Sequence, residues 1–331
     1  MLTPGYKLTI GKTTIDSTHQ AQASTMVELT VALDMARSAD SATVVLGQVG
    51  GQLRASLRDK VTVALGYADG GSFTQVIAAA VVSVEPNLNV DRIIAFAAAE
   101  TLLRSYVEET YENRTAGAIV RDLAGKAKVP VATVEEGITF PAYVIDGRRS
   151  FFRHMLDLAD LSGCDLYCNN TGGLVFEKFV TPKSVHVFEH AKDILELQVT
   201  HSIPVAGLVQ AWGESPTDSD GAGASAWLTK NFGPSRGTAG SGKPLLLLER
   251  PALRTRTAAG TAAQASETNI RRSELRGSLV ATGRPEVRLG DAVQLRAVPD
   301  PSLNQTFQVR AITHRLTKSK GFTTEIGFRA I

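Results

Sequence analysis

Hydrophobic and polar residues alternate with a period of two near both ends of the chain. Val27, Leu29, Val31 and Leu33 share one parity, and Glu28, Thr30 and Asp34 break it. Val287, Leu289, Val293 and Leu295 alternate in the same way with Arg288, Gln294 and Arg296. Phe307 and Val309 alternate with Gln308 and Arg310, and Phe322, Ile326 and Phe328 with Thr323, Glu325 and Arg329. This spacing predicts strands with one buried face. In the middle the period changes. Ile119, Val120, Leu123 and Ala127 fall on one face of a helix over 116–127. A second helix follows Ser150 in SFFRHMLDLADLSG, with Ser150 placed as N-cap and Gly163 as the stop. The segment TVEEGITFPAYVI between them reads as strand and turn, and 258–276 as one more helix with Arg271, Arg272 and Arg276 toward solvent. Residues 214–244, rich in Gly, Ser, Ala and Pro, read as a long mobile loop.

The two ends also match each other. Asp59 opens KVTVAL, a Gly/Asp turn, FTQVIAAAVVSV, the loop EPNLN and then RIIAFAA. Asp291 opens AVQL, a Pro/Asp turn, TFQVRAITHRL, the loop TKSKG and then FTTEIGFRA. Two readings fit: a duplicated β-module, or two antiparallel meanders of similar build. Three strands in matching order favour duplication.

Composition narrows the class. Of 331 residues, 43% are hydrophobic and 21% charged, which fits a folded chain with substantial cores. No aliphatic run, Leu245 to Leu248 included, is long enough to span a bilayer. The opening MLTPGYKLTIGK lacks the apolar core of a secretory signal, so no route through general secretion is expected. The only cysteines, Cys164 and Cys168, fit synthesis in a reducing cytoplasm. The net charge of +2 hides an asymmetry, because Leu245 onward holds 14 Lys/Arg against 7 Asp/Glu. That basic third suits an acidic partner or nucleic acid, although its charges are spread singly and without interleaved aromatics.

Candidate chemistry is sparse. Cys164, Cys168, His186 and His190 have the spacing C-x3-C-x17-H-x3-H, close to a zinc ligand set. Both pairs sit in segments that read as strands, where residues four apart are separated by roughly 13 Å. Neither a shared metal nor a disulfide, which needs Cα atoms about 4.4–6.8 Å apart, is then within reach. Buried small hydrophobes are the better account of the cysteines. Gly237 to Lys243 fits G-x-x-x-x-G-K, but Pro244 replaces the hydroxyl residue that would hold magnesium. His154, Asp157 and Asp160 on the second helix are expected on a solvated face, and Glu135-Glu136 in a solvent-facing loop. No catalytic, cofactor-binding or metal-ligating residue is assigned, and no cofactor.

The order of these pieces resembles the late control protein D family of phage tail hubs, whose fold is shared with the N-terminal part of VgrG spike proteins. Three stretches carry the resemblance: YENRTAGAIVRDLAGKAKVP; SFFRHMLDLADLSGCDLYCNNTGGLVFEKF; and GRPEVRLGDAVQLR with FQVRAITHRLTKSKGFTTEIGF. Their order and spacing persuade more than any single motif. The resemblance implies a mainly β (α+β) fold, two tail-tube-like β-barrels with an inserted α/β region. It places the first barrel at 1–100, the inserted region with two short helices and a hairpin at 101–190, and the second barrel at 191–331. It further implies a non-enzymatic hub, made in the cytoplasm and assembled into a virion tail or injection particle. Its partners would be two further copies in a homotrimer, the tail tube protein, a separate spike protein and other baseplate proteins. The sequence closes at GFRAI on a barrel strand, and no stretch is long enough for a lysozyme domain, so the spike is expected on another chain and peptidoglycan cleavage is not expected. The rival readings are a cell-wall hydrolase at a tail tip and a DNA-binding protein using the basic third.

Overall fold

Residues 3–18, 26–36, 39–47, 55–70, 72–213 and 236–331 are described by the computed structural model. Most of the loop expected at 214–244 lies outside them. The chain opens with seven strands: β1 (Pro4–Ile10), β2 (Thr13–Asp16), β3 (Met26–Asp34), β4 (Ser41–Gly47), β5 (Lys60–Tyr67), β6 (Phe73–Pro86) and β7 (Val90–Phe96). A central unit follows, made of α1 (Ala99–Leu103), β8 (Glu109–Thr115), α2 (Ala116–Lys126), β9 (Val131–Val134), β10 (Thr139–Ile145), α3 (Phe151–Ser162), β11 (Asp165–Cys168) and β12 (Leu174–Glu177). The remaining elements are β13 (Val185–Glu189), β14 (Ile194–His201), β15 (Leu208–Trp212), β16 (Gly237–Gly240), β17 (Leu245–Glu249), α4 (Arg256–Glu274), β18 (Leu275–Thr282), β19 (Ala292–Arg296), β20 (Thr306–Thr317) and β21 (Gly321–Ala330).

The fold is mainly β, and duplication is written in its pairing. Strands run in the order β1-β5-β6-β7-β4-β3 in one module and β13-β19-β20-β21-β18-β14 in the other. The one difference of sense is that β13 lies parallel to β19, whereas β1 lies antiparallel to β5. The irregularities repeat too. A β-bulge falls between Val81 and Ser83 in β6 and between Val309 and Ala311 in β20. Another falls between Met26 and Glu28 in β3 and between Ile194 and Glu196 in β14. Bulges have no reason to recur by chance at matching registers. The turn before β5 is the same as the turn before β19: the Asp59 carboxylate accepts from Ser56 N, and that of Asp291 from Arg288 N, at 2.8 and 2.9 Å. In each copy the residue before the aspartate has positive φ, 71° at Arg58 and 82° at Gly290.

The two modules are not separate closed barrels among the described residues. They join into one 13-stranded sheet, because the second half of β20 pairs with β3 from Ala311↔Asp34 to Thr317↔Glu28. A single hydrophobic core runs under both, including Leu8, Leu29, Val44 and Val63 from the first and Phe188, Leu279, Phe307 and Ile326 from the second. Alternation predicted these buried faces, with one exception. Val27 is 40% exposed, because the bulge beside it turns its side chain out of the buried row.

A second core fills the central unit. α2 and α3 lie where the helical period placed them, and Gly163 ends α3 at φ 71°. Ser150 is the N-cap residue by backbone, although its side chain makes no capping bond. The NNTGG stretch forms the turn between β11 and β12, held by the Asn169 side chain accepting from Thr171 N and Gly173 N. This core also takes in Val209, Ala211, Ala239, Leu253, Ala258, Ala259, Ala262 and Ala263, all from the 191–331 stretch. Conversely, β13, from the 101–190 stretch, pairs with β19 in the main sheet. The excursion β15-β16-β17-α4 thus leaves the second module between β14 and β18 and packs on the central unit.

Small residues set the distance of α4 from its sheet. A Cβ on Gly237 in β16 would lie 2.1 Å from the Ala259 carbonyl carbon, inside the helix backbone. Gly260, by contrast, has nothing within 4 Å of its Cβ position. Gly237→Ala is therefore expected to lower stability by about 2–4 kcal/mol through forced separation of helix and strand. Gly260→Ala is expected to raise it by about 1 kcal/mol through helix propensity. Urea unfolding of the two variants beside the parent checks the opposite signs.

Candidate functional site

The residues with metal-like spacing are not brought together. β11 is extended, and Cys164 and Cys168 are free and buried in the central core. Burial pushes each thiol up to about 12, the state of an inert core cysteine rather than a thiolate ligand. His186 lies on β13, with Nε2 2.9 Å from Asp291 Oδ2, and His190 is exposed beyond the strand end. Among the described residues no group of three His, Cys, Asp or Glu side chains is placed to hold a metal ion. The G-x-x-x-x-G-K stretch spans β16 and a turn into β17, with a cis Lys243–Pro244 bond and no helix after it. Its first glycine is required by α4, not by a phosphate.

His154 corrects one expectation. It is buried, because Phe151, His154, Met155 and Leu158 form the i, i+3, i+4, i+7 face of α3 that meets the core. Its Nε2 lies 3.2 Å from the Asp146 carbonyl, and its ring meets Tyr143 edge-on. Asp157 pairs with Arg149 at 2.7 Å, and burial with the nearby Asp157 charge raises Asp160. Glu136 accepts from Arg121 and from the Thr115 hydroxyl, and Glu135 from Lys178 N. Asp157, Glu135 and Glu136 are thus engaged in local structure.

A dense polar cluster lies between the three parts of the chain, and no local pattern points to it. Asp165, at the start of β11, ion-pairs with Arg310 at the β20 bulge and accepts from Gln308 Nε2 at 2.6 Å. Arg329 on β21 reaches Asp165 at 3.4 Å and donates to Gln308 Oε1 at 2.8 Å and Asn269 Oδ1 at 3.4 Å. Arg272 on α4 donates to the Phe179 carbonyl at 3.0 Å. Burial, with Arg310 alongside, pushes Arg329 down to about 10, and burial likewise lowers Arg272. Several cations of the basic third therefore point into the protein, not toward a partner. A different polar group sits in the sheet: the His314 ring is fully buried, with Nδ1 3.0 Å from Thr324 Oγ1 and Nε2 without a partner.

Several exposed apolar side chains lie at strand edges. β17 ends the small sheet and exposes Leu245, Leu246 and Leu247. β14 ends the main sheet, where Leu195 is 58% exposed, and Ile203 just beyond it is 90% exposed. Leu88, at the tip of the β6–β7 hairpin, is also 90% exposed. Apolar edges of this kind are features of surfaces that add another chain.

No family model matches the sequence, and no curated protein sequence matches it. Solved structures do. The chain has a phage tail hub-like fold. It is similar over 98% of both chains to the 43 kDa tail protein of prophage MuSo2 from Shewanella oneidensis, at TM-score 0.74 and 12% identity. It is similar to the tail protein of Neisseria meningitidis MC58 over 99% of this chain and 96% of that one, at 0.73 and 13%. It also matches the E. coli c3393 protein, a type VI secretion component described as similar to the T4 tail proteins gp27 and gp5, over 98% of this chain and 77% of that one, at 0.64 and 8%. At such identities the likeness is one of fold, and it spans both modules and the central unit.

The Asp165 cluster and His314 yield two expectations. Asp165→Ala strands Arg310 and Arg329 without their carboxylate, and is expected to cost about 3–5 kcal/mol in denaturant unfolding. Burial lowers His314 from its ordinary 6.5 to about 3. Between those values the unfolded chain binds the proton that the folded chain refuses, so stability falls as pH drops below 6.5. The loss of stability between pH 7 and pH 5 is expected to be smaller in His314→Leu than in the parent, measured by unfolding midpoints.

Proposed function

We propose that this chain is a structural hub of a phage tail or related contractile injection particle, joining a hexameric inner tube to a trimeric spike. The duplicated β-module carries the reading. Three copies of a two-module chain present six similar surfaces to a sixfold tube, while the chain as a whole keeps threefold symmetry for the spike. The tail fold supports this role, and the module equivalence supplies the symmetry argument. In this reading residues 1–100 and 191–331 contribute the tube-like modules, and 101–190 the inserted unit between them. The β15-β16-β17-α4 excursion packs on that unit, and its exposed leucines offer an apolar edge for a neighbouring baseplate protein or the spike. The role asks for no bond to be made or broken. Localisation follows from it: synthesis in the cytoplasm and incorporation into a particle.

The pure protein is expected to give a particle mass three times 35.2 kDa by light scattering, or to form trimers on mixing with its spike. Co-purification with the tube and spike proteins encoded beside it is expected as well. A stable monomer with no affinity for either would overturn the proposal.

A further inference from the structure

Six strands of each module correspond, yet among the described residues one of the two junction edges they create is filled and the other is not. Aligning the shared bulges matches Val82 of β6 with Arg310 of β20, and Val27 of β3 with Leu195 of β14. The second match also aligns sequence that alternation alone did not pick out: MVELTV at 26–31 against ILELQV at 194–199. In the filled junction the outer half of β20 meets β3. Its counterpart would bring the outer half of β6 against β14. Among the described residues these two edges do not pair with each other: β5 follows β6 as far as Ala80, and β14 pairs with β18 alone.

The exposure of matched residues differs as this vacancy requires. Leu33 and Met35 are buried beside β20, whereas their counterparts His201 and Ile203 are exposed. Ile312 and Leu316 are buried, whereas Val84 is half-buried and Leu88 is 90% exposed. Leu289, in the turn before β19, is buried, and its counterpart Leu57 is 64% exposed. The backbone directions agree as well. Ser202 N donates to Glu274 O at 2.8 Å, so residues 199, 201 and 203 turn their amides away from β18. Asn87 N donates to Val90 O at 3.0 Å, so residues 82 and 84 turn their amides, and Pro86 its carbonyl, away from β7. In the filled junction the residue matching Ile203, Met35, donates to the carbonyl of Arg310, which matches Val82, at 3.0 Å.

We infer that β14 of one copy of this chain adds as an antiparallel strand to the outer edge of β6 in a second copy, repeating the β3–β20 junction. Transferring that register pairs Ile203 with Val82, His201 with Val84, Thr200 with Glu85 and Val199 with Pro86. Pro86 has no N–H to give, so the added ladder ends there, at the start of the hairpin turn. A groove of about 640 Å³ flanks the Ile203 end of this edge, between Asp157, Asp160, Ile203, Val205, Leu248 and Ile270. By the same transfer, the turn holding Leu57 in the second copy approaches Ile203, as the turn holding Leu289 approaches Met35, whose Cε lies 3.9 Å from a Cβ position on Gly290. The contact is head-to-tail, and closes into a ring if each copy is rotated equally. The number of copies rests on the trimer proposed above; the pairing does not.

Thr200 and Glu85 fall in a non-hydrogen-bonded pair, where Cα atoms lie about 4.5 Å apart, close enough for a disulfide. Mild oxidation of the Glu85→Cys/Thr200→Cys double variant is expected to yield a ladder ending at a reducible species of three times 35.2 kDa. The Glu85→Cys/Glu196→Cys variant, four residues out of register, is expected to cross-link at least tenfold less. His201→Pro removes an amide that faces the free edge, and is expected to weaken association at least tenfold with an unchanged circular dichroism spectrum. A trimer that forms without the in-register cross-link overturns the pairing and leaves the hub reading standing. The in-register cross-link at another copy number supports the pairing and overturns the trimer. Equal cross-linking of both variants overturns the register.

Discussion

The architecture turns on one residue's break in a β-ladder. The bulge at Arg310 lets β20 serve two neighbours, β19 along its first half and β3 along its second. It also swings the Arg310 side chain out of the ladder toward Asp165 of the central unit, while its carbonyl accepts from Met35 of the first module. All three parts of the chain therefore meet at a single point. Burial makes that point demanding: Asp165, Gln308 and Arg329 are held out of water, so each must keep its partner. The cluster fixes relative placement more than it adds net stability, because the desolvation of its charges offsets much of their attraction.

Duplication explains why the same bulge appears twice, and unequal surroundings explain why the copies have diverged. At Val82 the bulge carries an apolar side chain where Arg310 carries a cation. Pro86 stands where β20 has His314, a ring that only a sealed sheet interior keeps neutral. Arg58 occupies a left-handed turn position that its counterpart Gly290 fills with no side chain, because the Tyr167 hydroxyl would lie 2.8 Å from a Cβ there. One junction is packed against the rest of the chain, and the other is open among the described residues.

Much of the fold was legible. Period-two runs placed the strands of the main sheet, the helical period placed α2 and α3, and three strands in matching order after Asp59 and Asp291 exposed the repeat. Strand reading also disposed of the cysteine and histidine spacing, since β11 and β13 are extended as their alternation required. The departures have local causes. Val27 faces out because a bulge interrupts alternation, and His154 is buried because it shares the apolar face of α3. The cluster around Asp165 was illegible because its members lie up to 164 residues apart, and nothing short-range ties an aspartate in one strand to arginines in two others.

By itself, then, the sequence determined what local periodicity and turn chemistry dictate: which segments are strands, which are helices, and that the β-rich ends are copies. Tertiary structure alone decided that the copies merge into one sheet rather than close separately. It decided too that α4 and its three strands pack on the central unit, and that the basic C-terminal third spends several of its charges inward. The physical reason is common to all three. Each depends on which edges and apolar faces find one another across long separations, and the same alternating strand serves equally well in any of those pairings.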